Sequence, residues 1–269
     1  MIPETSKDKY DFYFSLFLGF IADYDVEVDA VNEELLLAFF KDMSDFYAPN
    51  TLWTIFSCVK KKLLIHTSID IGKFPLVTQY LKKKNDKYLP KKALTFEPDE
   101  IKSFLRDSGI LGQIKLAILI GLFGGLRNCE LYNIQFKDIV RLSDRLVVTI
   151  ASSKTDKKRA GFSFIVPSNQ ETALNPLHYF DQYANLVPPD LNTGPFFLTV
   201  QPPRGKRYFP KVIKTRRGIN WFGSLPVIVA TFLKKSEPKL YTGHSLRRTA
   251  ATWLAAHGIT EVQLQTFGR

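Results

Sequence analysis

Two short motifs far apart in the chain, GGLRNCEL and HSLRR, carry side chains suited to a phosphate oxyanion. In the first, Arg127 follows a glycine pair and Glu130 stands three residues on, so that on a helix the carboxylate lies one turn away and can fix the guanidinium. In the second, His244 and Arg247 stand at i and i+3, on one face of a helix near its positive end. Arginine's planar fork binds two non-bridging oxygens at once and keeps its charge, while an imidazole passes a proton to or from a bridging oxygen. Each motif alone is common: GLR also marks ordinary helix ends, and HxxR recurs on exposed helices. Their combination carries the signal, in the order GLRxxEL, a hairpin with a turn lysine, HxLRR, and a helix ending in Phe267 and Gly268.

The elements that must hold these residues follow from periodicity. Asp29 to Phe46 repeats apolar residues at helical spacing, with Asp29 as its cap, and Thr51 to Leu64 does the same, with Lys60, Lys61 and Lys62 on its polar face. The lysine-dense stretch Tyr80 to Lys92, which includes Lys82, Lys83 and Lys84, breaks the pattern and reads as an interdomain linker; a solvated charged loop is the plain alternative. Pro98, Asp99 and Glu100 mark a new helix start, and Asp107 to Gly109 its end. Gln113 to Phe123 is apolar nearly all round and predicts a buried central helix halted by Gly124 and Gly125. RLVVTIA and GFSFIVP flank the polar turn SSKTDKKRA and predict a hairpin, the one sheet the sequence marks clearly. Gln170 to Leu186 reads as a helix, and Gln201 to Arg217, with Arg204 and Arg207, as a basic surface loop. Pro226 is expected to open a helix running to about Leu233, His244 to Ala256 forms the next, Gly258 closes it, and Thr260 caps the last.

Composition narrows the partner. The chain of 269 residues carries 37 Lys+Arg against 26 Asp+Glu, a formal charge of +11, on a sequence that is 45% hydrophobic and 13% aromatic. A folded chain with that excess is biased toward polyanions, and nucleic acid is the expected partner; charge that serves only solubility is the alternative. No run of eighteen apolar residues and no apolar leader is visible, so neither a membrane span nor a secretory signal is expected. Cys58 and Cys129 lie far apart with only four histidines in the chain, which argues against a zinc site or a disulfide framework and for an intracellular setting.

On Arg127, Glu130, the hairpin lysine, His244 and Arg247, in that order, the chain resembles the tyrosine recombinase, or phage integrase, family and within it the eukaryotic crypton-type recombinases. The resemblance covers the catalytic domain from about Lys92 onward and more loosely the core-binding domain before it. It implies a mainly helical α+β fold with a small antiparallel sheet, closing as a C-shaped clamp on duplex DNA. The expected organisation is a helical core-binding domain over 1–80, a basic linker over 81–94 and a recombinase-like catalytic domain over 95–269. It also implies roles: Arg127 and Arg247 as the catalytic arginines, Glu130 as the acidic support, His244 as the histidine and Lys154 as the lysine that protonates the leaving 5′ oxygen. Lys157 and Lys158 share the turn and are assigned to phosphate attraction, together with Lys60, Lys61, Lys62, Lys82, Lys83, Lys84, Arg204, Arg207 and Arg248 as DNA contacts. The implied chemistry needs neither metal nor cofactor. A tyrosine oxygen attacks the scissile phosphate to give a 3′-phosphotyrosyl link, within a homo-tetramer bridging two DNA sites in the nucleus.

In the family, Leu-Gly-His or Gly followed by tryptophan comes after the HxxR helix, and the nucleophilic tyrosine lies on a further helix. Here the matching residues are Phe267, Gly268 and Arg269, so Arg269 either replaces the histidine or precedes a tryptophan, and in either case the nucleophilic tyrosine is absent. Three readings follow: a recombinase truncated before its nucleophile, a domesticated DNA-binding remnant of a mobile element without cleavage chemistry, or a basic helical interaction module unrelated to either.

Overall fold

The computed structural model describes residues 2–86, 88–90, 92–151, 161–201 and 211–268. The chain divides into two compact units, Met1–Pro90 and Lys91–Arg269.

Among the described residues the first unit holds four α-helices: α1 (Lys7–Ala22), α2 (Glu33–Phe46), α3 (Pro49–His66) and α4 (Pro75–Asp86). Periodicity did not mark α1. Its polar start conceals Phe14, Phe17 and Ile21, which share one face and are buried. The cap of α2 is Asn32 rather than Asp29: the Asn32 carboxamide accepts the Leu35 N–H at 2.9 Å, and Asp29 sits in a separate 3-10 turn. Ala48 is extended before Pro49, which opens α3 at its first turn. Phe17, Leu36, Phe39, Phe40, Ile55, Val59, Leu63, Val77 and Leu81 form the core of this unit. The expected linker over 81–94 needs correction at its start, because α4 runs through Lys82, Lys83 and Lys84 to Asp86. Burial of Val77 and Leu81 on one face holds the helix while the lysines take the exposed side.

In the second unit, α5 (Pro98–Arg106) and α6 (Gly112–Phe123) lead to the short α7 (Asn128–Asn133). Strands β1 (Ile139–Arg141), β2 (Arg145–Ile150) and β3 (Phe162–Pro167) form an antiparallel sheet in that order, with Arg145 opposite Pro167 and Ile150 opposite Phe162. Helix α8 (Pro176–Ala184) starts later than the pattern implied, since Asn175 caps it and Pro176 fixes its first turn. A second sheet, β4 (Leu198–Gln201) antiparallel to β5 (Lys211–Arg216), corrects the reading of Gln201 to Arg217 as loop throughout. Its signal was the cluster of β-branched residues Val212, Ile213 and Thr215 among basic residues, which charge and prolines masked. Helix α9 (Ile219–Phe232) runs through Pro226 instead of starting there. Burial of Phe222, Leu225 and Val229 outweighs the hydrogen bond that the proline removes. Helices α10 (Ser245–Ala256) and α11 (Glu261–Gly268) complete the unit. The Thr260 hydroxyl accepts from Gln263 N at 3.4 Å, while Gln263 Oε1 accepts from Thr260 N at 3.0 Å, a reciprocal cap at the start of α11.

α6 is the hub of this core, with residues 113 and 115–122 buried. Its two polar members are satisfied. Gln113 donates to the Leu198 carbonyl at 2.6 Å, and Lys115 donates to the carbonyls of Leu105 and Asp107, each at 2.6 Å, closing the end of α5.

Candidate active site

The end of α6 sets the first arginine. Gly125 has φ +54°, a left-handed conformation that favours glycine; its N–H donates to Leu122 O at 3.1 Å, and Leu126 N donates to Gly121 O at 3.0 Å. This Schellman pattern stops the helix, and the buried Leu126 anchors the exit. The chain then presents Arg127 in extended conformation as the N-cap of α7.

Glu130 ties this cap together. Its Oε2 accepts the Arg127 backbone N–H at 2.7 Å and its Oε1 accepts Arg127 Nη1 at 2.8 Å. The same Oε2 lies 4.0 Å from Arg247 Nη1, so one carboxylate with 5% side-chain exposure stands between two guanidinium groups exposed to 28% and 18%. Arg247 Nη1 also donates to the Gly125 carbonyl at 2.8 Å. Burial pushes the Arg247 guanidinium below its ordinary range, and neighbouring Arg127 adds to the fall while Glu130 opposes it. Two cations converging on one buried anion form a positive, partly desolvated site, which is what a phosphodiester requires.

His244 is the N-cap of α10 and is exposed, with Arg247 one turn further along the same helix. Gly243 lies directly before it, and the Asn128 carboxamide occupies the space that a side chain at Gly243 would need. The residue after Arg127 therefore packs on the residue before His244, joining the two motifs through their neighbours. Tyr241 is not presented toward solvent: it is buried, with its ring stacked 4.5 Å from that of Phe96.

The opposite face of α10 is committed elsewhere. Thr249 Oγ1 accepts Phe96 N–H at 3.0 Å, Trp253 Nε1 donates to Phe96 O at 2.9 Å, and Arg248 donates to the Ala93 carbonyl. Arg248, expected to contact DNA, thus fastens the segment leading into α5. The i, i+4 spacing of Thr249 and Trp253 was the one available sign of this seam.

Among the expected DNA-contacting lysines, Lys60 pairs with Asp70 at 3.1 Å and Lys62 with Asp11, both inside the first unit. Lys61 on the same helix is half-buried. Lys82, Lys83 and Lys84 are exposed on α4, the last with its ammonium 5.6 Å from the Tyr80 ring. Lys154, Lys157, Lys158, Arg204, Arg207 and Arg269 lie outside the described residues. Among the described residues no group of His, Cys, Asp and Glu is arranged to hold a metal ion, and no helix is long and apolar enough to cross a membrane.

No protein-family model matches the sequence. Over 147 residues, 54% of this chain and 40% of the other, it is 26% identical to an integrase/recombinase XerD homologue of Selenomonas ruminantium, so the match spans about two-fifths of that relative's length. Among solved structures it is similar to the Tn1549 transposon integrase in complex with transposon right end DNA, with TM-score 0.60 and 20% identity, over 90% of this chain and 78% of that one. A lambda integrase dimer bound to a COC′ core site gives TM-score 0.61 and 14% identity, over 99% of this chain and 88% of that one. The mainly helical architecture with small antiparallel sheets is therefore the fold of the tyrosine recombinases.

Proposed function

We propose that this protein binds duplex DNA and that Arg127, Glu130, His244 and Arg247 form the phosphate-binding part of a DNA strand cleavage and rejoining site of the tyrosine-recombinase type. The single observation that carries this reading is the Glu130 carboxylate held between the Arg127 and Arg247 guanidiniums. In this reading the arginines take the non-bridging oxygens, and Glu130 fixes both forks and offsets their mutual repulsion. His244, at the exposed start of α10, handles a proton at a bridging oxygen. Lys154 protonates the leaving 5′ oxygen, and a tyrosine at the family's position after α11 supplies the attacking oxygen, with the bond energy conserved in a 3′-phosphotyrosyl link. The crypton-like branch, a nuclear setting and assembly of four copies on two DNA sites belong to the same proposal and rest on the motif resemblance.

A second reading, a mobile-element remnant that binds DNA without cleaving it, is favoured by Tyr241, the tyrosine nearest the motif in sequence, being buried against Phe96. One experiment separates them. Nicked duplexes carrying candidate element ends are mixed with this chain and with a version extended by its downstream reading frame, and covalent protein–DNA adducts are scored. Adducts with the extended version establish cleavage. Salt-sensitive binding with no adduct from either, on ends that include the element's own, establishes the remnant. Binding that is weak and insensitive to salt rules out both.

A further inference from the structure

The Gly124–Gly125 turn is enclosed by two aromatic rings from distant parts of the sequence. Side chains placed on these glycines would collide with Phe164 of β3 at the first and with Phe267 of α11 at the second. The carbonyl of that second glycine is the acceptor for Arg247 Nη1 at 2.8 Å. We propose that Phe267 is a positioning residue for Arg247: its ring, seated on Gly125, shelters the carbonyl–guanidinium bond from water and holds the arginine's plane for a phosphate.

The physical argument has three steps. Gly125 has φ +54° and bears no Cβ, so a ring can lie directly on its backbone. A ring there excludes water from the adjacent carbonyl, and a hydrogen bond to a charged group is stronger when it is desolvated. Arg247 is itself partly desolvated, so losing this fixed partner would both reorient and rehydrate it. The seating of α11 thereby sets the readiness of a residue on α10, although Phe267 touches no phosphate. The functional half of this proposal rests on reading Arg127 and Arg247 as a phosphate-binding pair.

The test is site-resolved arginine modification by phenylglyoxal, mapped by mass spectrometry on the intact chain, with Arg247 referenced to the more exposed Arg145 of β2. F267A is expected to raise the Arg247-to-Arg145 ratio on the order of ten-fold, the scale of one broken hydrogen bond to a charged group. F267L should give a smaller rise, and F267Y, which keeps the ring, should match the parent. If F267A loses cooperative unfolding, F267L decides by the same criterion. A parallel arm adds excess non-specific duplex to the parent protein, which should slow modification at Arg247. Absence of that protection sinks the phosphate-binding reading; protection together with an unchanged ratio in the Phe267 variants sinks the positioning role itself.

Discussion

Glu130 Oε2 stands 4.0 Å from Arg247 Nη1 while accepting the Arg127 backbone N–H at 2.7 Å, so the second arginine's charge is balanced by a group already committed to the first. Removing that carboxylate leaves two partly buried guanidiniums facing one another. E130A is therefore expected to destabilise the protein by about 2 kcal/mol, below the range for fully buried pairs because both arginines are partly exposed. E130Q keeps a hydrogen-bonding cap and should cost about half as much. Urea unfolding of the two variants checks this, and equal losses would mean that the charge is irrelevant.

Arg247 keeps its charge but loses its fork on replacement by lysine. R247K in a version extended to carry a tyrosine after α11 is expected to lower adduct formation on the order of a hundred-fold or more, as removal of one preorganised oxyanion donor does. Duplex affinity should change by less than about two-fold, since the charge count is preserved. Adduct yield and gel-shift affinity, measured on the same preparation, decide it; near-parental adduct formation would remove Arg247 from the site.

Five of the lysines expected to contact DNA in the first unit separate into two groups. Lys82, Lys83 and Lys84 are exposed on α4, and neutralising them to glutamine should weaken binding to all duplexes alike and reduce the salt slope by roughly 0.9 for each phosphate no longer neutralised. Lys60 and Lys62 are engaged with Asp70 and Asp11. Their replacement should lower the unfolding midpoint slightly, with a smaller change in salt slope. Binding isotherms at several salt concentrations test the division, which fails if both sets shift the slope equally.

This division also shows where sequence reading stops. The motif residues Arg127, Glu130, His244 and Arg247 were legible because i, i+3 spacing puts Glu130 and Arg247 one turn on from the cap residues Arg127 and His244. The buried run of α6 and the glycines that end it were legible because apolar periodicity and left-handed backbone have strong residue preferences. What was not legible depends on tertiary partners. Asp11 and Asp70 are far from Lys62 and Lys60 in the helical repeat, so nothing local marked those lysines as already paired. Pro226 looks like a helix start because its rule is local, whereas the burial that carries α9 through it is set by the rest of the core. Arg248 sits within a motif rich in phosphate-binding side chains, yet its partner is the carbonyl of Ala93.

Acid stability is expected to depend on Glu171. The two hydrogen bonds from Arg106, Nε to Oε1 at 2.7 Å and Nη2 to Oε2 at 2.8 Å, hold its carboxyl below the ordinary 4.5. Between its folded value and 4.5 the unfolded chain binds more protons, so the contribution is complete above 4.5 and disappears as pH falls through the folded value. E171Q should flatten that part of the stability-versus-pH curve while leaving neutral-pH binding to DNA unchanged. A curve parallel to the parent's through the acid range would show that the pair contributes nothing.

The packing of Asn128 on Gly243 makes a prediction about the join between the two motifs. A methyl at Gly243 falls on the Asn128 carboxamide, so G243A must displace that side chain and is expected to cost about 1–3 kcal/mol, the range for overpacking. N128A alone removes the obstacle and should cost less than about 1 kcal/mol. In the double variant the methyl has room, so the combined loss should fall short of the sum by at least about 1 kcal/mol, a coupling outside the scatter of independent sites. A double-mutant cycle in urea measures it. If the losses add, Asn128 does not set the approach of Gly243, and the spacing of Arg127 and His244 must be fixed through α9 and the glycine turn instead.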